Sequence, residues 1–123
     1  MKILTTGGNR GLGKTIVESL GAEEISRSSG FDITKDVDAM VTKSLDYDVF
    51  INNAFDGPPQ ESHANFGQSI LLIKMFNAWK EKNKKGFIFN IGSIASDDVV
   101  SPTPSWETYR VSKKSLEAAS LQC

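Results

Sequence analysis

Three side chains in the second half of this 123-residue sequence, Ser93, Tyr109 and Lys113, have the types and spacing that carbonyl chemistry needs. Tyr109 and Lys113 are four residues apart, so on a helix they share one face. Moving a hydride onto a ketone builds negative charge on its oxygen, and that oxygen must receive a proton. A free phenol titrates near ~10 and is a poor partner at neutral pH, but a neighbouring ammonium favours phenolate and brings it into range. In this reading Tyr109 is proton donor in reduction and base in oxidation. Lys113 lowers the phenol's pKa and can hold the ribose hydroxyls of a nicotinamide cofactor, while Ser93 hydrogen-bonds the carbonyl oxygen as its charge develops. A tyrosine and a lysine at this spacing are common in any helix. The pair gains weight from Ser93, which follows an apolar run, and from a phosphate-binding loop upstream.

That loop is Thr6-Gly7-Gly8-Asn9-Arg10-Gly11-Leu12-Gly13, between a short β-prone run and a helical pattern. This is the context that a dinucleotide fingerprint requires. Gly7 allows the tight turn, Gly11 lets the backbone approach a pyrophosphate, and Gly13 permits close contact of helix and sheet. The N–H groups at the helix start hold the phosphate charge, and Asn9, Arg10 and Leu12 complete the candidate contacts. Arg27 lies 20 residues beyond Gly7, at the end of the second expected strand. With Arg10 it could grip a 2'-phosphate on the adenosine ribose, so NADP is favoured over NAD. Asp32 could accept a hydrogen bond from the adenine amino group with Ile33 packed on the ring, or Asp32 could cap a helix over residues 34–45. Asn53 and Ala54, with Asn52, end the third expected strand, where an open sheet binds its ligand.

These residues need a scaffold, and hydrophobic periodicity supplies one. Strands are expected over residues 3–6, 23–26, 47–51 and 87–91. Helices are expected over 11–20, 34–45 and 62–82 and from Trp106 onward. The alternation implies parallel strands with crossover helices: a Rossmann-like α/β fold, three layers around an open parallel sheet. Between Arg27 and Asp32 there is no room for a full α/β unit, so the third unit is reduced to a few extended residues. The strands that would normally follow the last helix are absent from the sequence, which reads as one domain, 1–123, C-terminally incomplete. The strand at 87–91 would then lack an outer neighbour and expose apolar surface that invites association.

Composition narrows the class. Net charge is -1 and charged residues make up 24%, so nothing steers the chain toward nucleic acid or a membrane surface. A single cysteine and a single histidine give no disulfide and no metal cluster, and a cytoplasmic location is expected. His63, beside the Gly57-Pro58-Pro59 turn, has no obvious carboxylate partner and reads as a surface histidine.

Together these motifs resemble the short-chain dehydrogenase/reductase family over the whole sequence. The family's glycine motif falls on Thr6, Gly7, Gly11 and Gly13, its adenine-pocket aspartate on Asp32, and its Asn-Asn-Ala-Gly motif on Asn52-Asn53-Ala54 with Phe55 in place of the glycine. Its serine falls on Ser93 and its Tyr-x-x-x-Lys pair on Tyr109 and Lys113. The resemblance also implies a fourth catalytic residue, a helix asparagine that supports the lysine through a water, falling on Asn65. It implies a small carbonyl or alcohol substrate and a homo-oligomer formed through the two long helices. Two alternatives stay open: a dinucleotide-binding regulatory or structural protein without turnover, and a sugar-nucleotide epimerase or dehydratase of the family's extended branch.

Overall fold

In a computed structural model of the chain, residues 1–9, 11–33, 35–54, 66–93 and 107–123 are described, with their side chains except at 107–109. Among the described residues four strands, β1 (Ile3–Thr6), β2 (Glu23–Ile25), β3 (Val49–Asn52) and β4 (Phe87–Asn90), form one sheet in the order β2-β1-β3-β4. Every pairing is parallel, with Leu4 opposite Phe50 and Phe50 opposite Ile88. The described α-helices that connect or follow them are α1 (Gly11–Leu20), α2 (Val37–Ser44), α3 (Gly67–Glu81) and α4 (Glu107–Gln122). The expected Rossmann-like α/β architecture is the one observed.

The chain moves one way from β1 to β2 and the other way from β2 through β3 to β4. Right-handed crossovers therefore put α1 on one face of the sheet and α2 and α3 on the other. On the second face Leu4 and Phe50 pack against Met40, Leu71, Met75 and Trp79, with Ile88 at the edge of the same cluster. These residues form the main core because α3 repeats its apolar side chains at helical spacing: Leu71, Leu72, Met75, Trp79. A smaller cluster of Leu72, Leu116 and Ala119 fastens α4 to α3. β3 is buried along its full length, as suits a strand with neighbours on both sides.

Several boundaries differ from the sequence-based expectation. The second α-helix begins at Val37, after Asp36, rather than near Thr34 after Asp32. The reason lies in local hydrogen bonding: the Asp36 carboxylate accepts from the Asp32 N–H at 2.8 Å, while the Asp32 carbonyl accepts from Asp36 N–H at 2.7 Å. This closed turn uses the residues that would have been a first helical turn. The described part of α3 begins at Gly67, and residues 62–65 of the expected helix lie outside the description. In α1 the apolar stripe is narrower than its spacing suggests. Leu12 and Leu20 are exposed, and contact with the sheet is made by Gly13 with half-buried Ile16 and Val17. The reduced third unit is a single 3-10 turn, Arg27–Ser29, followed by the Asp32–Asp36 turn.

Candidate active site

Reversal of chain direction between β1 and β3 opens a crevice at their C-terminal ends, the position where open α/β sheets bind ligands. Its floor is tied together by Thr6. The Thr6 Oγ1 accepts the N–H of Asn53 at 2.9 Å and of Ala54 at 2.8 Å. In return the Asn53 amide donates to the Thr6 carbonyl at 3.1 Å. A threonine at the last position of β1 thus fixes the loop after β3.

The glycine loop sits on this floor. A Cβ on Gly13 would lie 1.9 Å from the Gly7 carbonyl oxygen and 2.7 Å from Asn53 Nδ2, so the start of α1 touches the loop backbone directly. Gly11, by contrast, has a φ of +58° and, among the described residues, nothing within 4 Å of its Cβ position. The first turn of α1 carries no acidic side chain. The N–H groups of a first helical turn and the positive end of the helix dipole suit a pyrophosphate at this place.

Asn9 Nδ2 donates to Ser28 Oγ at 3.2 Å, drawing the loop toward the turn after β2 that begins with exposed Arg27. Arg10 lies outside the described residues. Asp32 is half-buried, and Ile33 lies against the backbone of Gly67, where a Cβ would sit 2.9 Å from Ile33 Cγ1. Ile33 therefore packs on the beginning of α3.

The second half of the site is built by α4 against β4. A hydrogen bond between Ser69 and Ser115, 2.7 Å between their Oγ atoms, holds α4 along α3. Lys113 is thereby turned inward and is only 3% exposed. Its ammonium donates to Gln68 Oε1 at 2.7 Å and to the Ile91 carbonyl at 3.0 Å. Burial pushes the Lys113 pKa down from 10.5 to about 8. Ser93, half-buried, follows two residues after Ile91 beyond the end of β4. Tyr109 is one turn before Lys113 in α4, with its side chain outside the description, as is all of Asn65.

Asn52 links the two halves. Its carbonyl accepts from Ile91 N–H at 3.1 Å and from Gln68 Nε2 at 3.2 Å, and its side-chain amide donates to Asn90 Oδ1 at 3.1 Å. The glycine loop, the Asn53-Ala54 segment, Lys113 and the Ser93 segment are thus set along one edge of the sheet. Thr6, Asn52 and Gln68 organise this edge, and of these Gln68 went unnoticed in the sequence. The signal was present, because Gln68 heads the buried stripe continued by Leu71, Leu72, Met75 and Trp79.

Among the described residues no group of His, Cys, Asp and Glu could hold a metal ion, and no helix is long and apolar enough to cross a membrane.

No family model matches the sequence, and no curated protein matches it in sequence. Solved structures do match. Serine dehydrogenase from Escherichia coli superposes with a TM-score of 0.67 at 18% identity, over 99% of this chain and 74% of that one. A protein described as a β-ketoacyl-ACP reductase gives 0.61 at 19% identity, over 96% of this chain and 63% of that one. A GDP-L-fucose synthetase from Naegleria fowleri gives 0.62 at 19%, over 94% of this chain and 42% of that one. Likeness at such identities is a likeness of fold. At that level the resemblance to short-chain dehydrogenase/reductases read from the motifs holds.

Proposed function

We propose that the chain carries the dinucleotide-binding and catalytic part of an NADPH-dependent carbonyl reductase, or of the corresponding alcohol dehydrogenase, of the short-chain type. The observation that carries this reading is the inward-turned Lys113, held at the Ile91 carbonyl on the sheet edge that also bears the glycine loop. A buried ammonium with a lowered pKa, one helical turn from a tyrosine, is the kind of perturbed group that functional sites use for proton transfer.

The residues divide the work. Gly7, Gly11 and Gly13, with Asn9 and Leu12 of the same loop, cradle the pyrophosphate at the α1 N-terminus. Arg27 and Arg10 take the 2'-phosphate, Asp32 and Ile33 face the adenine, and Asn53 and Ala54 line the path toward the nicotinamide. When bound, the dinucleotide supplies or accepts the hydride. Ser93 holds the substrate oxygen and Tyr109 exchanges a proton with it. Lys113, through its charge, makes the phenol a stronger acid, with Asn65 in a supporting place. The protein would act in the cytoplasm on a small carbonyl or alcohol, as a homo-oligomer joined through α3 and α4.

Titration with NADPH and NADH, followed by cofactor fluorescence, tests the binding half. NADPH is expected to bind at least tenfold more tightly, and tighter NADH binding would remove the roles of Arg10 and Arg27. Replacing Tyr109 with Phe in the active protein is expected to lower turnover by ~10²-fold or more at similar cofactor affinity. Cofactor binding with no turnover of any carbonyl by the unaltered protein would select the regulatory reading instead.

A further inference from the structure

We infer that Gln68 is a positioning residue whose side-chain oxygen fixes the Lys113 ammonium beside the end of β4 and ties it to the crevice between β1 and β3. The inference deepens the function proposed above and rests on the place given there to Lys113.

Gln68 lies in the first turn of α3 and is 1% exposed. A carboxamide in such a place costs stability unless both its ends are bonded. Both are: Oε1 accepts from Lys113 and Nε2 donates to the Asn52 carbonyl. The Asn52 side chain answers by donating to the Gln68 backbone carbonyl at 2.9 Å. Two amides, each using main chain and side chain, thus close a ring between β3 and α3. The lysine stem has four rotatable bonds, and this ring offers its ammonium one fixed acceptor.

The chemistry of the acceptor matters as much as its position. A carboxylate here would hold the ammonium more strongly but cancel the field that Lys113 exerts on a neighbouring phenol. An apolar side chain would take one acceptor from a buried charge and leave it less well compensated. A neutral amide oxygen holds the charge in place and leaves it effective. The Ile91 carbonyl, the second acceptor, has the same property.

The test is NMR on the full chain with labelled lysine and glutamine, without cofactor or substrate. The Lys113 Cε and Hε signals are expected to titrate with a midpoint of about 8. The Gln68 side-chain Cδ and Nε2 signals should move with that midpoint in the unaltered chain and stay flat in Lys113→Met. Gln68→Met keeps length but removes the acceptor, and should raise the Lys113 acid dissociation constant about threefold or more. Gln68 signals that ignore the Lys113 titration overturn the inference, as does an unchanged Lys113 midpoint in a folded Gln68→Met chain. If that variant does not fold, the unaltered chain decides alone. A protein that passes this test yet reduces no carbonyl counts against the proposed function and not against the Gln68 contact.

Discussion

At the level of single residues, the glycine loop makes two opposite demands that substitutions can separate. At Gly13 any side chain meets the Gly7 carbonyl at 1.9 Å, and that obstacle is backbone. Gly13→Ala must therefore move the loop or the helix start, and a loss of about 2–3 kcal/mol is expected. Gly11→Ala meets nothing among the described residues, but its backbone at φ +58° strains an alanine by about 1 kcal/mol. Urea unfolding of the two variants should rank Gly13→Ala as the more damaging, and the reverse order would mean that the loop does not close on α1. The glycines were legible in the sequence because glycine spacing reports backbone geometry directly. Gln68 was legible only as the head of a buried stripe; its partner was not, because the lysine 45 positions later meets it only once the chain has folded.

At the level of elements, α4 carries a charged anchor, Lys113, in its buried face, and that anchor should show in the pH dependence of stability. The folded protein holds Lys113 at about 8, whereas an unfolded lysine titrates near its ordinary 10.5. Between these values the unfolded chain binds the proton that the folded chain has released, so stability rises with pH across that window. Below pH 8 the charge is present in both states and the cost of burying it is borne in full. Denaturation at pH 7 and at pH 10 should show the unaltered chain gaining about 2 kcal/mol relative to Lys113→Met. Tyr47 works in the opposite sense. Burial first, then the hydrogen bond that its hydroxyl donates to the Glu23 carboxylate, raises its pKa to about 12, so it withdraws stability above pH 10, but it does so in both proteins. A flat difference between the two would show that Lys113 is solvated. The elements themselves were readable from periodicity, because parallel strands and their crossover helices impose different repeats. Their boundaries were not. The start of α2 depends on whether Asp32 or Asp36 turns back on the chain, and both are aspartates before an apolar stretch.

At the level of the whole molecule, the described sheet ends in a strand that is covered on one face only. Ile88 points into the core, while Phe87 and Phe89 point away from it and remain 63% and 55% exposed. Their rings stack with centroids 6.2 Å apart, making one continuous apolar patch on the outer strand. On the opposite side of the sheet, Ile70 and Ile73 of α3 are also about half exposed, on the helix expected to join two copies. Large apolar patches and open strand edges both favour association. The chain is therefore expected to self-associate at micromolar concentration, and sedimentation velocity on two double variants separates the surfaces. Phe87→Lys with Phe89→Lys leaves the core residue Ile88 intact and should shift the protein toward monomer if the strand face makes the contact. Ile70→Glu with Ile73→Glu should do so if the helices make it. Because the charged side chains replace exposed ones, neither pair should lower stability by much more than about 0.5 kcal/mol per site. A chain that sediments as a monomer before any substitution would mean that neither apolar surface drives association.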